Sequence, residues 1–111
     1  MLGNDSGTRP NRNYSLVLHG VGGVQARAAF TPQRGGTQLR LLVTGLPPGS
    51  DAVYEVRCER PGWSASAGTF RADSEGRAYV VLTTAARLGE YKSLRIVRRT
   101  DDTNVLSGQL N

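Results

Sequence analysis

The residues of this chain that could carry out chemistry are few and stand far apart. The sequence holds one cysteine, Cys58, and one histidine, His19. A reactive thiol needs a basic neighbour or a helix N-terminus, but Cys58 shares a strand face with Tyr54 and Val56. We therefore predict that Cys58 is a buried thiol with a packing role. His19 precedes a glycine-rich break without an Asp and Ser nearby, which favours a surface histidine over a general base.

Other spacings that could indicate catalysis or metal binding are incomplete. No serine lies in a Gly-x-Ser-x-Gly elbow, and the glycines of 20–23 lack the Lys-Ser/Thr pair of a phosphate-binding loop. One Cys and one His cannot form the usual four-ligand zinc site. Asp73, Asp101 and Asp102 supply too few oxygens for calcium. We therefore expect a protein that is not an enzyme and has no metal and no cofactor.

The net charge of +5 raises the question of a nucleic-acid partner. The arginines are scattered, however, and the longest basic run is Arg98-Arg99. Nucleic-acid-binding proteins concentrate basic residues on one face and interleave aromatic side chains, so we predict no nucleic-acid partner. No stretch approaches the roughly 20 apolar residues that span a bilayer, and there is no signal-peptide pattern.

Short alternating segments, separated by Pro and Gly turns, predict the elements that would position these residues. Apolar and polar side chains alternate over 24–30, 39–43 and 54–58. Every connection is short, which excludes the crossovers that parallel strands require. We predict an antiparallel β-sandwich of seven or eight strands, immunoglobulin- or fibronectin-III-like, over residues 14–111. Residues 1–13 have too little apolar surface to offset ordering, which predicts a flexible linker or juxtamembrane tail.

The phase of the alternation predicts which side chains face inward. The expected core consists of Phe30, Leu41, Tyr54, Val56, Phe70, Val80, Leu82 and Ile96. Trp63 could be a sugar-stacking platform, but packing against a neighbouring strand is the preferred interpretation. Asp73-Ser74-Glu75-Gly76 predicts a hairpin turn in which the carboxylate binds backbone N–H groups.

Several outward positions are also apolar, and they define a candidate protein-contact surface. Its members are Val17, Leu42, Val53, Val81 and Val97. If these side chains align across a sheet, they form a patch that suits a protein partner, because contiguous exposed apolar patches usually mark interaction sites.

The order of the turns and strands resembles that of one protein family. Leu46-Pro47-Pro48-Gly49 is followed by Tyr54-Glu55-Val56, then by Gly68-Thr69-Phe70, and then by Asp73 and Gly76 before the closing strands. From about Val24 to Leu110, the chain resembles the extracytoplasmic C-terminal domain of actinobacterial transmembrane anti-sigma factors of the anti-sigma-K type.

The resemblance implies a regulatory function. In that family the domain lies on the extracytoplasmic face, and a single-pass helix links it to a cytoplasmic domain that sequesters an extracytoplasmic-function sigma factor until stepwise proteolysis releases it. This chain would then be the sensory, non-catalytic part, with a membrane protease or an envelope sensor protein as its partner. The sigma factor and the membrane would be contacted only through the missing cytoplasmic part and transmembrane helix.

A second interpretation remains open. The fold is also compatible with the alternative of a stand-alone fibronectin-III-like adhesive or carbohydrate-binding module, because β-sandwiches carry many unrelated functions.

Overall fold

The computed structural model describes residues 14–20, 22–48, 51–87 and 89–110. The predicted linker, residues 1–13, lies outside the described residues. Within the described part, the chain forms eight β-strands and no helix. The strands are β1 Tyr14–Gly20, β2 Gln25–Gln33, β3 Gly36–Thr44, β4 Tyr54–Arg60, β5 Trp63–Phe70, β6 Ala78–Thr84, β7 Ser93–Arg98 and β8 Thr103–Gln109.

All eight strands belong to one antiparallel sheet, which confirms the all-β antiparallel class. Their spatial order is β5–β4–β7–β8–β1–β2–β3–β6. The two edge strands, β5 and β6, are consecutive in the chain and approach each other, so the sheet curls into a nearly barrel-like form. Gly68 of β5 lies at this approach: a Cβ at this position would lie 2.9 Å from the end of the Leu82 side chain of β6, which would have to shift.

The sheet divides into two halves at its weakest pairing. Among the described residues, strands β1 and β8 pair at two positions, His19 with Ser107 and Gly20 with Leu106. By contrast, β2 and β3 pair over nine positions. We call β1, β2, β3 and β6 half A, and β4, β5, β7 and β8 half B.

The hydrophobic core combines side chains of both halves. Leu18, Ala28 and Leu41 from half A join Val56 and Ile96 from half B in one buried cluster. Aromatic rings strengthen it, with 6.4 Å between the ring centroids of Phe30 and Tyr91 and 5.5 Å between those of Tyr54 and Phe70. Six predicted core residues are confirmed as buried: Phe30, Leu41, Tyr54, Val56, Phe70 and Ile96. Val80 and Leu82 are only partly buried, because β6 is an edge strand.

The predicted turn at Asp73 forms, but it does not close a hydrogen-bonded hairpin. The Asp73 carboxylate accepts backbone N–H bonds from Glu75 at 2.8 Å and from Arg77 at 2.9 Å. Gly76 has a φ of 79°, which favours glycine. The prediction of a hairpin was wrong, because β6 leaves the turn to pair with β3, at the opposite edge of the sheet from β5.

Two of the turn motifs meet in space. The backbone N–H of Leu46 donates to the carbonyl of Gly76 at 3.0 Å. A Cβ at Gly76 would lie 2.1 Å from the carbonyl oxygen of Leu46, so the contact requires glycine. The Leu-Pro-Pro turn after β3 and the Asp-x-x-Gly turn before β6 therefore brace each other at one end of half A.

Candidate protein-contact surface

Exposed large apolar side chains concentrate on the outer face of half A. Among the described residues they are Val17, Leu42, Tyr79 and Val81, with exposed fractions of 50%, 45%, 66% and 50%. Val17 lies on β1, Leu42 on β3, and Tyr79 and Val81 on β6. Alternate residues of a strand point to the same side of a sheet, and these four side chains occupy outward-facing positions of their strands.

Strand register aligns these side chains in two neighbouring rows. In the first row, Val17 pairs with Arg27, Arg27 with Leu42, and Leu42 with Tyr79. In the second row, Ser15 pairs with Ala29, Ala29 with Arg40, and Arg40 with Val81. We call these two rows the apolar face; its residues are Ser15, Val17, Arg27, Ala29, Arg40, Leu42, Tyr79 and Val81.

The apolar face is uneven rather than flat. A shallow hollow of about 350 Å³ is lined by Ala29, and Arg27, Arg40, Leu42 and Tyr79 border it. A smaller hollow of about 190 Å³ lies beside Leu42, towards Val17. A third, of about 470 Å³, lies where Tyr79 meets the Asp73 turn. The ridge formed by Leu42 and Tyr79 thus has concave surface around it.

The charges of the apolar face have one sign. The four strands of half A contain no Asp and no Glu. Neither Arg27 nor Arg40 forms a salt bridge with another described residue. Two guanidinium groups therefore stand among apolar side chains without a carboxylate partner in this part of the chain.

The outer face of half B has the opposite character. Glu59 accepts two bonds from the guanidinium of Arg95, at 3.0 and 2.8 Å, and a third from the Ser64 hydroxyl at 3.2 Å. On the same strand, the Arg57 Nε donates to Glu55 at 2.9 Å. Charges on this face are thus paired side by side.

Hydrogen bonds lower the pKa of three carboxyl groups, all outside half A. The Ser66 hydroxyl and the Arg57 guanidinium lower the pKa of Glu55. The Arg98 guanidinium and Thr103 hold the pKa of Asp101 well below its usual range, and backbone N–H groups of the turn lower that of Asp73. These groups are fully ionised at neutral pH.

The structure brings together three of the five predicted surface residues. Val17, Leu42 and Val81 lie on the apolar face. Val53 is half-buried in the segment before β4. Val97 has no exposed surface and does not belong to the patch; the pairing of β7 with β8 shifts by one residue at this point.

The sequence prediction missed Tyr79, Arg27 and Arg40. The signal for Tyr79 was present, since Val80 and Leu82 are predicted to face inward and alternation then turns residue 79 outward. The pairing partners of β6, which place Tyr79 beside Leu42, depend on the whole topology.

The residues first considered for chemistry lie elsewhere. Cys58 is completely buried, as predicted, and burial raises the pKa of its thiol to about 11. His19 is exposed near the end of β1. Trp63 packs against the core, as predicted, and the Arg60 guanidinium lies 5.2 Å from its ring centroid. In the described ranges, no group of three or more His, Cys, Asp or Glu could hold a metal ion, and no helix could span a membrane.

Comparison with known proteins leaves the function to be inferred from the residues. The chain matches no protein-family model, no curated protein and no solved structure.

Proposed function

We propose that this chain is a non-catalytic protein-binding domain whose contact surface is the apolar face. The observation that carries this proposal is the alignment of Val17, Leu42, Tyr79 and Val81 in two adjacent cross-strand rows. Single exposed apolar residues are ordinary, but a contiguous patch with a polar rim is typical of an interaction site. A partner that covers the patch removes this apolar area from water, which favours association.

We propose further that the domain is the extracytoplasmic regulatory part of a membrane-bound anti-sigma factor. The ordered turn and strand motifs support this, and the contact between Leu46 and Gly76 gives two of them a common structural role. The partner at the apolar face is then a membrane protease or an envelope sensor protein. The immunoglobulin- or fibronectin-III-like sandwich belongs to the same proposal, and the division of the sheet into two halves around one core supports it.

The regulatory proposal is tested in the native gene. Removing residues 14–111 should change basal transcription from the sigma-dependent promoters or its response to stimulus, because the folded domain controls protease access. Leu42→Asp should have an effect in the same direction, since it places a charge in the centre of the apolar face. Thr69→Asp, at an exposed position of half B, is the matched control and should have no effect. Transcription that is unchanged in the deletion strain contradicts the proposal.

One observation favours the alternative, an adhesive or carbohydrate-binding module. The Tyr79 side chain is 66% exposed and borders two of the hollows, where a sugar ring can stack on the phenol. Binding of the wild-type chain to a glycan array, with loss of the signal in Tyr79→Ala, would support this alternative.

A further inference from the structure

The chemistry of the apolar face identifies the kind of partner it fits, and this inference rests on the proposed function as a protein-binding domain. We propose that the partner is a protein segment that presents one large apolar side chain flanked by carboxylates. The apolar side chain enters the hollow above Ala29, and the carboxylates pair with Arg27 and Arg40.

The first argument is electrostatic. Arg27 lies opposite Leu42, and Arg40 is two residues before Leu42, so the two arginines are diagonal neighbours on adjacent strands. The Cα atoms of such neighbours are about 7–8 Å apart, so both guanidinium groups can pair with the same acidic segment. A guanidinium stays charged in proteins, and covering it without a partner is costly. Because the strands of half A supply no carboxylate, a partner that covers the apolar face must bring its own.

The second argument is one of shape. The shallow hollow of about 350 Å³ is lined by Ala29 and bordered by Leu42 and Tyr79. Protein interfaces are usually anchored by a few large side chains that fill such pockets near the centre of the contact. Arg27 and Arg40 border the same hollow, so the anchor and the acidic residues must be close in the partner's sequence or structure.

Other occupants fit less well. A second copy, packed by a two-fold axis, would bring the arginines of one apolar face against those of the other. Single-stranded nucleic acid is held by aromatic stacking along a basic groove, but Tyr79 is the one aromatic residue of this face. An anionic bilayer surface would satisfy the guanidinium groups but has no side chain to enter a hollow.

The test uses the full chain and a random twelve-residue peptide library displayed on phage. Selection on the wild type should enrich peptides in which an apolar residue lies next to Asp or Glu. Selection on Arg27→Glu/Arg40→Glu should enrich Lys or Arg instead. An acidic peptide from the first selection should bind this double variant at least about tenfold more weakly, and high salt should also weaken its binding to the wild type.

Two further variants separate the failure of this inference from failure of the proposed function. Leu42→Asp should abolish binding of the acidic peptide, and Thr69→Asp should not change it. If Leu42→Asp abolishes binding while the double arginine variant binds normally, the apolar face is a protein-contact surface but the acidic partner is wrong. If Leu42→Asp also binds normally, both proposals fail.

The remaining outcomes also decide the matter. No enriched peptide, together with binding of phosphatidylserine vesicles or a single-stranded oligonucleotide that requires Arg27 and Arg40, would overturn the inference in favour of a membrane or nucleic acid. No enriched peptide and no such binding would overturn it as well. Circular dichroism checks the fold of each variant, and Arg27→Gln/Arg40→Gln replaces the charge reversal if that variant does not fold.

Discussion

The outer faces of half A and half B differ in the side chains at their outward-facing positions, although both consist of antiparallel strands with alternating side chains. In half B, Glu59 and Arg95 pair across strands and Glu55 pairs with Arg57. In half A, the equivalent positions carry exposed Val, Leu and Tyr side chains with arginines that lack a carboxylate. A sheet face of this fold can therefore be covered by paired charges. The apolar face of half A is a property of its sequence and not a requirement of the backbone.

The largest expected effect is on the free energy of unfolding, and it distinguishes the core shared by both halves from the apolar face. Phe30→Ala should lower the free energy of unfolding by about 3–5 kcal/mol, because the ring is completely buried and lies beside Tyr91. Tyr79→Ala should change it by less than about 0.5 kcal/mol, since the side chain is largely exposed. Urea unfolding measures both, and equal losses would show that Tyr79 is structural.

The ion pairs of half B should matter for stability, whereas the arginines of half A should not. Glu59→Ala removes the partner of Arg95 and Ser64 and should cost about 1 kcal/mol, because the pair is bidentate and only partly exposed. Arg40→Ala removes no salt bridge with a described residue and should cost less than about 0.5 kcal/mol. Similar losses of unfolding free energy in the two variants would contradict the proposed difference between the two halves.

Lowering the pH should destabilise the folded protein through carboxyl groups that lie outside half A, of which Glu55 on β4 is one. The pKa of Glu55 is lowered in the folded state, from its ordinary value of 4.5, first by the Ser66 hydroxyl and then by Arg57. Its stabilisation is therefore fully present above the unfolded pKa and is lost as the pH falls through the lower folded pKa. Glu55→Gln should flatten the fall in unfolding free energy below about pH 4. Arg27→Gln in half A should leave that slope unchanged, and a slope that Glu55→Gln does not alter would refute the assignment.

The smallest expected effect concerns Cys58, on the inner side of half B. A thiol reagent should not label the native chain, because the sulfur is completely buried and its pKa is raised to about 11. Full labelling should follow unfolding in urea. Rapid labelling without denaturant would mean that half B opens readily and that its outer ion pairs do not hold it closed.

Local patterns were sufficient to predict much of the fold. Alternation over 24–30 and 54–58 identified two strands and their buried faces, and Asp73 with Gly76 identified a turn, because each depends on neighbouring residues alone. The pairing of β6 with β3 could not be predicted, since it depends on how the whole sheet closes. The same limit applies to the candidate contact surface. Leu42 was predicted from the alternation of its own strand, whereas its neighbours Arg27 and Tyr79 follow from the register between strands. The prediction for Val97 was wrong, because burial also depends on neighbouring strands.

The central claim is that the apolar face of half A is a contact surface, whereas the outer face of half B is not. A photoreactive amino acid placed at Tyr79, on edge strand β6, tests it most directly in cells of the native organism. The matched control is the same group at Thr69, an exposed position on edge strand β5. We predict that position 79 cross-links to another protein, that Leu42→Asp abolishes the product, and that position 69 gives none. Cross-linking at position 69 but not at position 79, or at neither, would contradict the claim.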